Sequence, residues 1–316
     1  MSFPYNELEK EHILCNFCGS DDYQVLSDEG TDGLPLTSCI CKRCGLIYIN
    51  PRMTKEGYKF YYEKEYRDKT INYGEKGSDF DCGRLYETTK PHGRMLGEFM
   101  RRHLNVSGAI MEIGSGAGGV LAGIKEVLGR EVEGLEPSAV EAAYAQKKGI
   151  KTHHSLIEDY AGTKKYAAIL STQALNHYLD PHYFFAWAHS SLVAGGIIVI
   201  EVMNFRQQLK NSGKYKNSVK IDHVFMFTPE VLADFVRSAG FEIVEFTADE
   251  FSPQERKQGV PRIHIRIIGK KLDKVPFRDL SINPRNFRLT LSSIKPFKIY
   301  LKYLSGVRIP SLFKKS

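Results

Sequence analysis

The sequence predicts an α/β fold: a doubly wound, mainly parallel sheet of seven strands, with a small cysteine-rich module before it and a basic tail after it. Three observations predict this. Strand-length apolar segments alternate with helix-length segments from residue 109 to residue 268, the pattern of a doubly wound sheet. A glycine-rich turn, Gly114-Ser115-Gly116-Ala117-Gly118-Gly119, joins the first of these strands to the first of these helices. Two Cys-x-x-Cys pairs stand within the first 50 residues.

The cysteine pairs come first in the chain. Cys15-Asn-Phe-Cys18-Gly and Cys41-Lys-Arg-Cys44-Gly are separated by 22 residues. Each pair can present two thiolates to one ion, and together they complete a tetrahedral four-sulfur zinc site with no open position, hence a structural one. The two-residue spacing and the lack of a secretion-type leader speak against disulfides. Cys39 could replace Cys41 as a ligand, but Cys41 has the better spacing; Cys82 stands alone and reads as a small buried residue. Residues 1–50 are therefore taken as the module. A linker, 51–84, follows, with a helix from Lys55 to Arg67 whose Tyr58, Tyr61, Tyr62 and Tyr66 recur at helical spacing. A further helix is expected over residues 85–103.

Residues 85–269 form the main domain. Strands are expected at 109–113, 132–135, 150–153, 166–171, 197–201, 241–246 and 262–268. Helices are expected at 120–128, 139–148 (capped by Ser138), 183–192 and 229–239 (opened by Thr228-Pro229 and stopped by Gly240). Ligands of such sheets bind at the carboxyl ends of the strands, where Glu112, Glu136, Gln173 and Glu201 fall. Glycines at 114, 116 and 118 let the backbone turn where a Cβ would block it, and the turn leads into a helix N-terminus. By spacing alone, Gly114-x-Gly116-x-x-Gly119 with Glu136 about 20 residues on also fits a dinucleotide fingerprint. Glu112 tilts the choice. A carboxylate at the mouth of the strand can meet an ammonium or hydroxyl group, whereas a pyrophosphate would want N–H groups and no carboxylate.

Composition sets the outer bounds. Apolar residues make up 42% and charged residues 26%, as in an ordinary globular protein. No run of 18 apolar residues is present, so no transmembrane helix is expected, and the chain is placed in the cytoplasm. The net charge is +7, yet residues 270–316 carry twelve Lys/Arg against two Asp, so the basic character belongs to the tail. Residues 295–304 read as a basic amphipathic helix able to touch the inner face of a membrane, with wrapping of the chain's own domain as the alternative.

Glu112-x-Gly114-x-Gly116-x-Gly118 resembles the first motif of class I S-adenosylmethionine (SAM) methyltransferases, and the resemblance extends over about residues 85–268. It implies a Rossmann-like methyltransferase sheet with SAM as cofactor. It further implies that Glu112, Gly114, Ser115, Gly116 and Gly118 form the cofactor turn, and that Glu136, followed by Pro137, accepts both ribose hydroxyls. Leu156-Ile157-Glu158 is similar to the segment lining the adenine. Gln173-Ala-Leu-Asn176-His177 with Asp180-Pro181 is similar to a post-strand motif, with Asn176 where Glu is common. Ala167-Ala168 departs from a common Phe-Asp.

The cysteine pairs together with this domain resemble a narrower group, the methyltransferases of sugar, nucleotide-sugar and surface-polysaccharide pathways. Ile221-Asp222-His223-Val-Phe-Met-Phe-Thr228 resembles their substrate-handling element, with Asp222 for Glu. The resemblance implies methyl transfer to a hydroxyl of a sugar, nucleotide sugar or glycan. His223 is the expected base, because an unperturbed imidazole titrates near 6.5; Asp222 orients it and His177 is the next candidate. The segment 204–220, with Arg206, Lys210, Lys214, Lys216 and Lys220, reads as a substrate lid suited to a phosphate. Alternatives are a sugar C-methyltransferase, a zinc-ribbon RNA methyltransferase, and a non-enzymatic zinc-ribbon interaction protein. Against RNA, the basic residues are not beside the cysteine pairs and no RNA-binding motif is found.

Overall fold

The structure is a computed structural model and describes residues 3–64, 82–248 and 264–294. Its centre is a seven-stranded sheet. Five strands are parallel: β6 (Ile110–Ile113), β7 (Val132–Glu136), β8 (Lys151–His154), β9 (Tyr166–Thr172) and β10 (Leu192–Met203). Two are antiparallel additions at one edge, β12 (Phe241–Thr247) and β13 (His264–Lys271). The order across the sheet is β12-β13-β10-β9-β6-β7-β8, so β6 is the point from which the winding runs both ways. The central strands are buried on both faces, as parallel strands flanked by helices must be.

The helices follow the sequence signals closely. α1 (Lys55–Lys64) and α2 (Cys82–Arg101) precede the sheet. α3 (Gly119–Leu128) leaves the glycine turn, with Gly118 at its N-cap in the left-handed region, φ 84°. α4 (Ala139–Lys147) is capped by Ser138, whose hydroxyl accepts from Glu141 N. α5 (Pro181–Ser191) is capped by Asp180, which accepts from Tyr183 N at 3.0 Å. α6 (Phe205–Ser212), α7 (Pro229–Ser238) and α8 (Asn286–Ile294) complete the set. Thr228 stands at the N-cap of α7, but its hydroxyl lies 3.4 Å from the Thr290 hydroxyl and caps nothing. Gly240 ends the helix at φ 86°, where a side chain would be strained.

The cysteine-rich module is built on β2 (Tyr23–Ser27), β3 (Ser38–Cys41) and β4 (Ile47–Ile49). A fourth strand, β11 (Phe225–Met226), joins it from the far part of the chain, pairing Phe225 with Tyr48 and Met226 with Ile47. Two short strands, β1 (Lys10–Glu11) and β5 (Arg52–Met53), pair beside it. One continuous apolar core runs through this module and into one face of the large sheet, with Phe17 stacked on Phe235 at 4.6 Å.

Residues 204–220, read from sequence as a lid, are instead built into the fold. Phe205, Leu209, Tyr215 and Val219 are buried, Tyr215 shares a hydrogen bond with Ser38, and Arg206 and Lys216 are paired with Glu230 and Glu29 at 2.7 Å each. Four buried anchors fix a segment; a hinged cover would have few. The C-terminal segment up to Ile294 also wraps its own domain: Phe277 stacks on His182 at 3.7 Å and Ile294 is buried. The expected basic helix at 295–304, and Tyr66, lie outside the described residues. Among the described residues no helix is long and apolar enough to cross a membrane.

Candidate active site

The glycine turn sits at the carboxyl end of β6. Gly114, Gly116 and Gly118 have φ of 76°, 53° and 84°, the left-handed region that glycine alone enters without penalty. A Cβ at Gly114 would stand 2.8 Å from the Ala174 methyl, so the turn lies directly under the segment that follows β9. Glu136, ending β7, clamps the turn from the neighbouring strand: its carboxylate accepts Gly116 N–H and Ser138 N–H at 2.8 Å each.

Glu112 is 1% exposed. One of its oxygens accepts from the Thr172 hydroxyl, and the other, Oε2, is buried without a hydrogen-bond partner among the described residues. Burial pushes its carboxyl up to about 8, against the Thr172 bond and helped by the charges of Glu136 and Glu201. Ser115 Oγ is likewise buried and unpartnered. An orphaned carboxylate oxygen and an orphaned hydroxyl at the end of a glycine turn are groups awaiting donors, and buried polar atoms rarely stay unsatisfied. The ammonium of SAM supplies such donors, so these residues fit that cofactor.

The remaining expected cofactor residues lie on the segments that follow β7, β8 and β9. Ile157 is buried in a short 3-10 turn, residues 157–159, while Glu158 and Pro137 are exposed. Gln173 takes a positive φ of 57°, unusual for a side-chain-bearing residue, and its N–H donates to Glu201 O at 2.7 Å. Glu201, in contrast, is fully occupied. His92 Nε2 and Arg266 Nε each reach its carboxylate at 2.8 Å, and His264 lies 3.7 Å away. Burial alone would raise this carboxyl, but the three basic groups outweigh burial and hold it well below the usual range. It ties α2 and β13 to β10.

The structure brings together the three residues expected to act on the substrate. His177 Nδ1 lies 2.9 Å from the main-chain oxygen of Asp222 and 3.7 Å from its carboxylate. The rings of His177 and His223 meet edge to face at 5.0 Å. One donor atom from each of the three residues falls within 4.8 Å of the others. Burial pushes His223 down to about 3, with His177 and Lys220 adding to it and Asp222 opposing. Burial lowers His177 too, again against Asp222. Burial would raise Asp222, but His223, His177 and Lys220 bring it down. The outcome is two neutral imidazoles around one carboxylate.

Three further residues at this place carried no functional signal in the sequence. Tyr178 donates its hydroxyl to Ile113 O at 3.0 Å, joining the His177 segment to the strand end just before Gly114. Thr172 holds Glu112, and the Tyr62 hydroxyl lies 3.4 Å from His177 Nδ1. Tyr62 belongs to the tyrosine stripe of α1, whose Tyr58 and Tyr61 are buried in the core.

In the N-terminal module the four predicted cysteines converge. Cys15 and Cys44 sulfurs are 3.4 Å apart, Cys18 and Cys41 sulfurs 3.5 Å, and all four lie within 4.8 Å of one another. Tetrahedral zinc with bonds of about 2.3 Å sets its sulfurs about 3.8 Å apart, so the cluster is of the right size. Cys39 points elsewhere, beside Tyr48, and burial pushes its thiol up to about 12.

Comparisons with known proteins agree with the fold. Residues 90–246 match the family model described as a methyltransferase domain. No curated protein sequence matches the chain. Among solved structures, 1,6-didemethyltoxoflavin-N1-methyltransferase from Burkholderia thailandensis, with bound 1,6-didemethyltoxoflavin and S-adenosylhomocysteine, is 17% identical. It covers 72% of this chain and 96% of its own, with a TM-score of 0.50. The plantazolicin methyltransferase BpumL in complex with S-adenosylhomocysteine is 15% identical over 60% of this chain and 86% of its own, TM-score 0.46. Geranyl diphosphate C-methyltransferase from Streptomyces coelicolor is 14% identical over 56% of this chain and 80% of its own, TM-score 0.45. The match and the strand order make residues 90–246 a class I, SAM-dependent methyltransferase domain. The chain is accordingly an enzyme of methyl transfer.

Proposed function

We propose that the chain transfers the methyl group of SAM to a hydroxyl of a sugar, nucleotide sugar or surface glycan. In this reading Gly114, Ser115, Gly116 and Gly118 cradle SAM, Glu112 meets its ammonium, and Glu136 accepts from its ribose. Gln173, Ile157, Glu158 and Pro137 complete the surroundings, and zinc on Cys15, Cys18, Cys41 and Cys44 holds the N-terminal module together. The domain boundaries of this reading are 1–50, 51–84, 85–269 and 270–316.

The observation that carries it is the His177–Asp222–His223 cluster beside the cofactor turn. Methyl transfer to oxygen is an in-line displacement. The acceptor oxygen bonds the methyl carbon, the carbon–sulfur bond breaks, S-adenosylhomocysteine leaves, and the hydroxyl proton passes to a base. Most of the acceleration comes from positioning, and a base adds roughly 10²–10⁴-fold.

The sequence prefers His223 as that base, and burial now argues for His177. The His223 imidazole, pushed down to about 3, is a weak proton acceptor. His177 keeps a side chain 20% exposed, and its Nδ1–H donates to Asp222 O at 2.9 Å, the tautomer in which Nε2 is the basic nitrogen. His223 packs against that ring, and Asp222 stabilises the imidazolium as it forms. The sugar assignment rests on the double cysteine module and the Asp222-to-Thr228 element. The test is turnover with radiolabelled SAM and a panel of nucleoside diphosphate sugars. His177→Gln should lower turnover roughly 10²–10⁴-fold with S-adenosylhomocysteine affinity unchanged. If both His177→Gln and His223→Gln keep full turnover, the base lies elsewhere.

A second reading has one observation in its favour. Two neutral imidazoles and a carboxylate are also a nitrogen-and-oxygen donor set for a first-row divalent ion. Turnover abolished by a chelator that leaves the cysteine-bound zinc in place, and restored by Mn²⁺, would favour it.

A further inference from the structure

The two loops that carry the candidate catalytic cluster are both held by the N-terminal module and by β5 just after it. The first loop runs from Gln173 to Asp180. Arg52 Nη1 donates to Leu179 O at 2.6 Å, while its Nε is held by Glu11 at 2.9 Å. Asn16, between the first two cysteines, bridges the start of α5 with both ends of its amide: Nδ2 donates to Asp180 Oδ1 and Oδ1 accepts His182 N–H, each at 2.9 Å. These contacts fall two to five residues after His177.

The second loop carries Asp222 and His223. Immediately after them Val224 O accepts Ile49 N–H at 3.0 Å, and Phe225 and Met226 pair with Tyr48 and Ile47. Ile49 is five residues beyond Cys44 and Arg52 eight. The relative placement of His177 and Asp222–His223, 45 residues apart in sequence, thus has a common reference in the cysteine module. Glu112, Glu136 and the glycines do not: they are positioned by β6, β7 and α3 of the large sheet.

We propose that Asn16 and Arg52 are positioning residues for methyl transfer, through which the cysteine module sets the register of the His177 and His223 loops without bearing on cofactor affinity. This rests on the functional reading above. Arg52 suits the task because its guanidinium is bound on both sides, to Glu11 within the module and to Leu179 O across the interface, and only 12% of its side chain is exposed. A lysine offers a point charge on a flexible stem and cannot hold both partners in one plane. Asn16 suits it because an amide carries a donor and an acceptor, matching the Asp180 carboxylate and the His182 N–H; aspartate would face Asp180 with like charge.

The test uses the full chain with its zinc retained, saturated with S-adenosylhomocysteine, in wild-type, Asn16→Ala and Arg52→Met forms. The primary readout is the imidazole nitrogen spectrum by long-range proton–nitrogen correlation. Wild type should show His177 protonated on Nδ1, as its bond to Asp222 O requires. The variants should show a mixture of tautomers, with one zinc per chain and cofactor affinity within twofold of wild type. Turnover on an accepted nucleotide sugar should fall roughly 10-fold to 100-fold with KM for SAM unchanged, the scale of a small misplacement of a catalytic group. Arg52→Lys should recover part of it. Failure of wild type to bind S-adenosylhomocysteine would sink the functional reading itself. Normal binding and zinc content, with His177 signals and turnover unchanged in both variants, would overturn the positioning role alone.

Discussion

Glu112, proposed to meet the ammonium of SAM, should make the affinity for SAM depend on pH. In the free protein its carboxyl is pushed up to about 8 from an ordinary value near 4.5, because Oε2 is buried without a partner. An acid raised in this way contributes stability below about 4.5 that is lost as pH rises through about 8, since ionisation then occurs in a place that opposes it. SAM bound as proposed would reverse that by setting an ammonium beside the carboxylate. Binding between pH 5 and pH 7 therefore draws off close to one proton per molecule. Affinity rises about tenfold per pH unit, or about 100-fold over the range, if Glu112 is fully ionised in the complex. The α-amino group of the ligand stays protonated there, its own value lying near 7.7–8.0.

The assay is calorimetric titration with S-adenosylhomocysteine at pH 5, 6 and 7, each in two buffers of different ionisation heat. Glu112→Gln keeps the shape and removes the charge, so its affinity should be nearly independent of pH. Wild-type affinity that changes less than about threefold across the range, or a Glu112→Gln protein that keeps the wild-type slope, refutes the reasoning.

Two other outcomes follow from buried groups. Replacing any one of Cys15, Cys18, Cys41 and Cys44 by Ser should release one zinc per chain and unfold the module, because metal binding and folding are coupled; elemental analysis of protein purified without chelator checks this, and absence of zinc in wild type contradicts it. Glu133, 1% exposed, is raised by burial but brought down to about 2 by Lys164, His153 and Lys151. A depressed carboxyl contributes stability above about 4.5 that is lost as pH falls toward about 2, at most about 3 kcal/mol here. Denaturant titrations of Glu133→Gln and wild type should therefore converge as pH falls across that window.

Much of the fold was legible because each element announces itself locally. The apolar runs at 109–113 and 166–171, the Ser138 cap and the Gly240 stop all fell within a residue or two of the observed boundaries. What was not legible depends on partners far away in sequence. Phe225 and Met226 form a two-residue strand with no period to detect, and its meaning lies in pairing with residues 47 and 48. The segment 204–220 reads as a polar loop by composition, but Phe205 and Leu209 are spaced four apart on α6 and, with Tyr215 and Val219, anchor it. Its five basic residues hid that stripe. Glu201 stands at a strand end as expected, yet His92 and Arg266, from two other elements, already occupy it. In the candidate site the sequence gathered Asp222, His223 and His177 as a set. It ranked His223 first and His177 next without access to their burial, which is a tertiary property. Tyr62 looked like one more core tyrosine, and only the docking of α1 shows its hydroxyl beside His177.

The central claim is that the turn clamped by Glu136 holds SAM rather than a dinucleotide, and titration with S-adenosylhomocysteine and with NAD tests it most directly. The account predicts that wild type binds S-adenosylhomocysteine and not NAD, and that Glu136→Ala weakens that binding by about 1.5–3 kcal/mol, roughly 10-fold to 150-fold, the scale of hydrogen bonds to a charged group. NAD bound by wild type with S-adenosylhomocysteine left unbound would contradict it.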